Sequence, residues 1–437
     1  MQKIYFKELD NYIDKEIIVE GFVDKIRDLQ YVQFLILRDS TEKLQVTIEK
    51  NDLNNELNKI VSSLTLESTL KIKGTLSKND KVKLRGLELI PTDIIVTSKS
   101  LAELPVDLID KEKSLRETRL DYRFLDLRRE ENNLFFRAQT TLLHGMREYF
   151  VNNGFIEINS PKISGASAES GAEVFKLDYF GTPACLSQSP QFYKQMAMAA
   201  SFNKVFEIGT AFRAENSHTS YHATEILMVD AEMSWINSVE DIMDLIEELM
   251  KYILIKVKNT HQDEISRVFN KNLSDVSAKF PRITLNECKK ILKDVYNYVG
   301  EKNGDLERKE EELICKWAKE NHNSDFIFIT KYPKEARPFY HMLDEEGMSN
   351  SFDLLFKGLE ISTGAQREHH YDILESQIKD KDIDPKDLQF YLDFFKYGCP
   401  PHGGFGLGLS RVMMLIFEID NIREATFIYR GPTRLKP

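Results

Sequence analysis

Several short stretches combine cations, carboxylates and glycines at spacings that would suit a phosphorylated ligand. One is HGGFGLGLSR, which begins at His402 and carries four glycines ahead of Arg411. Glycine lets another group approach the backbone, and the planar guanidinium of arginine matches phosphate oxygens. A glycine-rich strand packed under a helix, with Arg411 as a surface cation, explains this stretch equally well. It is neither a P-loop nor a Rossmann fingerprint.

Residues 204–236 predict two strands around a polar loop. Alternation places Glu207 and Arg213 on the polar face of the first strand, and Asp230 on the polar face of the second. If the strands pair with their apolar faces together, Arg213 and Asp230 emerge on one polar surface. This surface is either a binding site or a solvated face.

The stretch SFDLLFKGLEISTGAQREH predicts a hairpin with its turn at Lys357-Gly358. That turn would pair Asp353 with Ser362 and make Asp353 and Glu360 diagonal neighbours. Two carboxylates at this distance suit a Mg²⁺ ion bridged by phosphate oxygens. The alternative is two exposed acids on an edge hairpin. Arg367 follows closely and would add a cation.

The stretch SQSPQFYKQMAMAA predicts a helix capped by Ser189, with Pro190 at its first position. Gln191 and Lys194 would then lie three residues apart on one helix face. A lysine in such a place is ordinarily solvated, so whether Lys194 has a functional role depends on the residues around it.

The elements that must position these residues indicate an α+β protein. Residues 1–98 contain five short β-patterned runs, which predict a small closed barrel such as an OB-fold or another small β-barrel. Residues 99–125 look like a linker. Residues 126–437 begin with an amphipathic helix that ends at Gly154 and include a mostly helical region at 238–325.

The amino-acid composition excludes several classes of protein. The 437 residues are 42% hydrophobic and 30% charged, as in ordinary globular proteins. We find no signal peptide and no apolar run long enough to cross a membrane, so we expect a cytoplasmic protein. Four scattered cysteines indicate neither a zinc site nor a disulfide framework. The net charge of −11 argues against nucleic-acid binding through bulk positive charge, but not against a local basic groove.

Taken together, these stretches resemble the class II aminoacyl-tRNA synthetases, and within subclass b the archaeal-type aspartyl branch. RFLDLRRE resembles the family signature that precedes the catalytic domain, and FIEINSPKI resembles motif 1, which lies at the dimer interface. FRAENSHTSYH resembles motif 2, and GFGLGLSR resembles motif 3. The resemblance implies an anticodon-binding OB-fold at residues 1–98. It also implies a catalytic domain at 126–437, built on a six- or seven-stranded antiparallel sheet flanked by helices, and a homodimer.

The resemblance implies an enzyme that attaches L-aspartate to tRNA through an aspartyl-adenylate, using ATP and Mg²⁺. Such chemistry depends on positioning and charge stabilisation more than on a protein nucleophile. The implied ATP-binding residues are Arg213, Glu215, His222, Glu360, Gly408 and Arg411, with Arg213 and Arg411 catalytic. The implied aspartate-binding residues are Glu169, Gln191, Lys194, Asp230, Ser362 and Arg367. The implied Mg²⁺ ligands are Asp353 and Glu360. The implied tRNA contacts are Phe34, Gln45, Glu88, Ser217 and Thr219.

Lys194 favours aspartate over asparagine as the substrate. A buried lysine beside Arg367 would pair with the side-chain carboxylate, whereas asparagine would leave it unpaired. Asparaginyl relatives share FRAENS but lack this lysine. Four alternatives remain: a ligase that charges tRNA for both aspartate and asparagine, an asparaginyl-tRNA synthetase, a divergent paralogue that regulates by binding tRNA, and an enzyme that makes free asparagine. The barrel argues against the last.

The sequence also departs from the pattern of these relatives. Tyr221 stands where most carry arginine beside the motif 2 histidine, and Ser410 where glutamate usually precedes the motif 3 arginine. Ile226 replaces an adenine-stacking aromatic residue found in some relatives. Thr210 and Gly431 replace a commoner proline and aspartate. None of these departures removes a residue assigned to the chemistry.

Overall fold

The computed structural model describes residues 4–165 and 173–437. The chain divides into two compact units, Met1–Thr118 and Arg119–Pro437. Among the described residues, every helix is too short or too polar to cross a membrane.

The first unit is a closed barrel of five strands. The strands are β1 (Glu16–Asp28), β2 (Val32–Arg38), β3 (Lys43–Glu49), β4 (Thr69–Lys78) and β5 (Leu87–Ser98), arranged in the order β1-β2-β3-β5-β4. Helix α1 (Asn55–Ser62) follows β3. Every second side chain of β2 and β3 is buried inside the barrel, because successive side chains of a strand point to opposite faces. The predicted five-stranded barrel is therefore confirmed.

The second unit contains the remaining helices and strands. The helices are α2 (Arg116–Asp121, which begins in the first unit), α3 (Arg123–Asp126), α4 (Glu130–Asn152), α5 (Gln191–Ala199), α6 (Val239–Phe269), α7 (Leu285–Tyr296), α8 (Arg308–His322), α9 (Tyr371–Asp380), α10 (Gln389–Lys396) and α11 (Leu409–Phe417). The strands are β6 (Ile156–Glu157), β7 (Ile163–Ser164), β8 (Lys176–Tyr179), β9 (Thr182–Leu186), β10 (Lys204–Phe212), β11 (Glu225–Ser234), β12 (Arg282–Thr284), β13 (Phe326–Pro333), β14 (Met348–Phe356), β15 (Leu359–Arg367) and β16 (His402–Gly408).

Eight of these strands form one sheet, in the order β12-β13-β14-β15-β16-β11-β10-β6. The central pairs are antiparallel, but β12 and β6 pair in parallel with their neighbours at the two edges. The six central strands match the expected six- or seven-stranded antiparallel sheet, whereas the two parallel edge strands were not predicted. The two added strands are only two and three residues long, so they carry no periodic signal.

Helices α4 and α6 pack together over one face of this sheet and share its largest apolar core. Val229 and Ala231 of β11 and Phe405 and Leu407 of β16 are buried in that core. Side chains alternate across a strand, so the polar residues between them project to the opposite face. The sequence pattern therefore leaves one face of the sheet free to carry a polar site.

The hairpin of β14 and β15 turns at Lys357 and Gly358, both with positive φ, as predicted. Its register shifts between Leu354 and Leu355, so Asp353 pairs with Thr363. The predicted pairing of Asp353 with Ser362 is therefore wrong. The bulge changes which residues share a face, because one strand gains an unpaired residue.

Candidate active site

A cleft of about 1110 Å³, including its mouth, opens on the polar face of the sheet. Its walls come from α5, β11, β15, β16, the start of α11 and the loop between β10 and β11. The predicted site residues that line it are Gln191, Arg213, Glu215, Ser217, His222, Asp230, Glu360, Ser362, Arg367, Gly408 and Arg411. Residues far apart in the sequence are thus brought into one cavity.

The other predicted residues lie elsewhere. Lys194 and Asp353 are buried behind the cleft wall, each bonded to a residue that lines it. Thr219 is exposed in the β10–β11 loop, 2.5 Å from Nδ1 of His222. Glu169 falls outside the described residues. Phe34, Gln45 and Glu88 belong to the barrel of the first unit.

One end of the cleft is built from two buried ion pairs. Nζ of Lys194 lies 3.0 Å from Oδ1 of Asp230 and 3.5 Å from Oε2 of Glu232, and it donates to the Phe405 carbonyl at 3.2 Å. Nε of Arg367 donates to Glu232 at 2.9 Å. Two cations and two carboxylates therefore offset one another.

The two carboxylates differ electrostatically. Burial raises the pKa of Asp230, and Lys194 only partly opposes the shift. Burial also acts to raise the pKa of Glu232, but Arg367 and Lys194 together outweigh it, so the net shift is downward. Glu232 was missed from the sequence, although its two-residue spacing from Asp230 in β11 places both acids on one strand face.

Behind Gln191 lies a buried chain of hydrogen bonds. The Gln191 side-chain amide donates to Oε1 of Gln195 at 3.1 Å, and the Tyr391 hydroxyl donates to the same oxygen at 3.0 Å. Burial lowers the pKa of His402 to about 4, so its ring is neutral at pH 7. The ring then donates from Nδ1 to the Pro400 carbonyl at 2.8 Å and accepts from Gln195 at Nε2 at 3.0 Å. Gln191 is thereby held in one orientation.

The other end of the cleft carries two arginines and a histidine. The backbone of Arg213 is fixed by a hydrogen bond to the Thr224 carbonyl at 2.9 Å, but its guanidinium makes no hydrogen bond or ion pair with residues 4–165 or 173–437. Nη1 of Arg411 donates to the Glu360 carbonyl at 2.9 Å. Burial, with Arg411 and Arg213 nearby, lowers the pKa of His222, so this ring is neutral at pH 7. Both guanidinium charges remain available to an anion.

The acids at 353 and 360 come together through Thr363, whose hydroxyl lies 2.8 Å from Asp353 Oδ1 and 3.0 Å from Glu360 Oε1. Burial and then the charge of Asp353 raise the pKa of Glu360. Arg337 pairs with the other Asp353 oxygen at 2.6 Å and lies over the ring of Tyr332. Arg337 was missed because a short turn between two strands carries no motif.

The glycines of β16 have two different roles. A Cβ on Gly404 would lie 2.1 Å from the Ala231 carbonyl oxygen and 2.2 Å from the Glu232 carboxylate, so only glycine leaves room for that acid. Gly406 and Gly408 instead line the cleft. Part of the glycine pattern thus makes space for a buried ion pair, and part keeps the cleft floor open.

Comparison with known proteins places this cleft in a family. The model for tRNA synthetases class II (D, K and N) matches residues 115–429, and the model for an OB-fold nucleic acid binding domain matches residues 17–97. Aspartate–tRNA(Asp) ligase of Pyrococcus abyssi is 41% identical over 427 residues, covering 97% of this chain and 96% of the relative. Aspartate–tRNA(Asp/Asn) ligase of Methanopyrus kandleri is 41% identical over 423 residues, with 97% and 96% covered.

Among solved structures, asparaginyl-tRNA synthetase from Pyrococcus horikoshii, complexed with asparaginyl-adenylate, superposes with a TM-score of 0.93. It is 31% identical, and the match covers 100% of both chains. The predicted α+β class and OB-fold are confirmed by these matches. The chain belongs to the class II aminoacyl-tRNA synthetases of the aspartate, lysine and asparagine group, with an OB-fold domain ahead of its catalytic region.

Proposed function

We propose that this protein is an aspartate–tRNA ligase, which activates L-aspartate with ATP and transfers it to tRNA. The observation that carries the proposal is one cleft with cations at both ends. Arg213 and Arg411 stand at one end, and Arg367, with Lys194 behind it, stands at the other. The names of the curated relatives, which are aspartate–tRNA ligases, support the same substrate.

In the first step, an α-carboxylate oxygen of aspartate forms a bond to the α-phosphorus of ATP. The bond from that phosphorus to the bridging oxygen breaks, and pyrophosphate leaves with the electron pair. In the second step, a terminal ribose hydroxyl of tRNA attacks the acyl carbon and gives up its proton. The bond from that carbon to the phosphate oxygen breaks, and AMP leaves with the electron pair. We assign Arg213 to the α-phosphate, and His222 and Arg411 to the terminal phosphates. Fixed donors of this kind stabilise developing charge without reorganisation.

The acidic pair fits a divalent cation. Repulsion between Asp353 and Glu360 contributes to the raised pKa of Glu360, and a bound cation would relieve that repulsion. Carboxylate oxygens combined with phosphate oxygens are the usual ligands of Mg²⁺. We assign Asp353 and Glu360 to this ion, which when bound would neutralise charge on the β- and γ-phosphates. Arg337 holds Asp353 in place from the other side.

Selection of aspartate is assigned to the buried ion pairs. Arg367 lines the cleft and uses Nε and Nη2 on Glu232 and Gly404. Its Nη1 bonds to none of the described residues, so it is left for a substrate carboxylate. Lys194 holds Asp230, which faces the substrate, and adds its charge from behind. An asparagine amide would not match these cations, and buried mismatches of this kind are costly. Gln191, Ser362 and Glu169 complete the proposed aspartate contacts.

A homodimer is proposed on the basis of motif 1. Strand β6, at the edge of the large sheet, belongs to that motif, and its Ile156 is 47% exposed. Ile163 in the same motif is 45% exposed. Exposed apolar groups beside an edge strand favour association with another chain, and a second copy is the partner that the resemblance implies.

We expect aspartate, and not asparagine, to support ATP–pyrophosphate exchange by the purified chain. In charging assays, tRNA(Asp) should accept aspartate. Because some relatives are named for both tRNAs, tRNA(Asn) should be tested in parallel with aspartate. Charging of tRNA(Asp) alone defines a discriminating enzyme, and charging of both defines a non-discriminating one. Exchange that depends on asparagine would contradict the proposal.

The barrel is proposed to bind the anticodon through Phe34, Gln45 and Glu88. Phe34 is half-buried on the outside of the barrel, opposite Thr47, and is not part of its core. Gln45 pairs with Glu88, and Thr47 donates to Glu88 at 2.5 Å. Ser217 and Thr219, in the loop beside the cleft, are proposed to contact the acceptor end.

Phe34→Ala should therefore raise the KM for tRNA by about tenfold to a hundredfold, which corresponds to the loss of one stacked base. Exchange without tRNA should not change, because it needs only the cleft. Ile95→Ala is the matched control, since Ile95 is an exposed apolar residue paired with β4. An unchanged KM for tRNA in Phe34→Ala would remove this residue from the proposed interface.

A further inference from the structure

Arg308 opens helix α8 beside the turn of the β14–β15 hairpin. Its Nη1 donates to the Gly358 carbonyl and lies 3.2 Å from Oε2 of Glu311. Its guanidinium carbon lies 4.6 Å from the ring centre of Tyr221, a residue of the cleft wall. Such a stack of a cation on an aromatic face fixes the plane of the guanidinium. The side chain is therefore held beside Tyr221 by groups from the hairpin turn, from α8 itself and from the β10–β11 loop.

This position is close to the terminal-phosphate end of the cleft. Arg411 donates to the Glu360 carbonyl, and Arg308 to the Gly358 carbonyl, only two residues earlier in the chain. Two residues span at most about 7 Å, so the two guanidinium groups are anchored side by side. Tyr221, under Arg308, is followed directly by His222, which is already assigned to the terminal phosphates.

The neighbours of Arg308 use only part of its guanidinium. Glu311 lies 3.2 Å from Nη1. Glu312 lies 3.5 Å from Nε of Arg308 but is also paired with the exposed Lys309. Nη2 of Arg308 donates to no residue in 4–165 or 173–437. A guanidinium with a free donor suits an anionic ligand.

We propose that Arg308 is a further ATP-binding residue, contacting the terminal phosphates and the pyrophosphate that they become. The inference rests on the proposed aspartate activation. When the bond between the α-phosphorus and the bridging oxygen breaks, the electron pair moves onto pyrophosphate. Arg308 and Arg411 together face that growing charge, with Tyr221 holding the plane of Arg308. Helix α8 thereby takes part in the reaction.

The test is the affinity of the full-length protein for ATP and pyrophosphate, measured by calorimetry without aspartate and then by exchange kinetics. Arg308→Ala should weaken both ligands by about tenfold to a hundredfold, the effect of losing one charge-assisted hydrogen bond. The KM for aspartate should not change. Lys316→Ala, on the same helix and 61% exposed, is the matched control and should bind ATP as the wild type does.

Restoring a cation should restore binding. Arg308→Lys should recover part of the affinity, and Tyr221→Arg in the Arg308→Ala background should place a guanidinium in the same region. Undiminished ATP and pyrophosphate affinity in Arg308→Ala would overturn the inference. So would a loss that neither cation restores, because that result assigns the side chain to packing alone. Wild-type exchange with aspartate, run in parallel, separates failure of this inference from failure of the proposed function.

Discussion

Arg213→Ala is expected to lower aspartate-dependent ATP–pyrophosphate exchange by at least about a thousandfold, the scale measured for arginines that stabilise phosphoryl transfer. The backbone of Arg213 is fixed by Thr224, while its guanidinium has no partner among the described residues. Removing the side chain therefore breaks no structural ion pair that the structure describes. The substitution should therefore lower the rate of the reaction, and the free energy of unfolding should change little.

Three controls sharpen this prediction. Arg267→Ala, on the exposed side of α6, removes a partly exposed arginine away from the cleft and should leave exchange unchanged. Arg213→Lys keeps the charge but loses the two-pronged donor geometry, so it should recover only part of the rate. Thermal unfolding of each variant should match the wild type. Normal exchange by a folded Arg213→Ala protein would remove this arginine from the α-phosphate.

Local patterns in the sequence were sufficient to predict the helices and strands whose apolar residues recur with a regular period. In β3, Leu44, Val46 and Ile48 alternate with polar residues and are buried, and the barrel closes as predicted. The β2 sequence, VQFLILR, does not alternate in this way, and its buried face includes Gln33. The same rule placed Asp230 on the polar face of β11, and the cleft lies on that face. Alternation is an intrinsic property of a strand, so it can be read without knowing the neighbours of that strand.

Features set by contacts distant in sequence were not predictable in this way. The register shift between Leu354 and Leu355 is a local irregularity with no residue signature, yet it decides which side chain faces Asp353. The edge strand Ile156–Glu157 forms only because β10 lies beside it. Both features result from the folded sheet and not from the propensity of the residues themselves.

The residues that pair with the site residues were also not predictable from local patterns, because they are distant in sequence. Glu232 pairs with an arginine 135 positions away, and Arg337 reaches Asp353 from a turn before β14. Motif comparison identifies residues that touch a ligand, whereas the residues that hold them are recognisable only once the chain is folded. Of these residues, Glu232 was the easiest to predict from the sequence, because a second acid on the polar face of a buried strand is unusual.

Lys194→Met is expected to reduce both stability and aspartate activation. The lysine is fully buried and paired with Asp230, so its loss leaves a buried carboxylate with no cation at hydrogen-bonding distance among the residues that the structure describes. Breaking a buried pair by removing one partner costs about 3–5 kcal/mol of the free energy of unfolding. Urea unfolding measures this cost. Aspartate-dependent exchange should fall more steeply than the ATP affinity, because Lys194 lies at the amino-acid end of the cleft.

The double variant Lys194→Met/Asp230→Asn separates the two effects. Replacing the stranded carboxylate with a neutral amide should return most of the lost free energy of unfolding, since the remaining Arg367–Glu232 pair is intact. Aspartate activation should stay low, because the cation behind the substrate carboxylate and the acid that faces the substrate are both gone. A stable double variant with a normal KM for aspartate would show that Lys194 supports the fold alone, and selection of aspartate would then rest on Arg367.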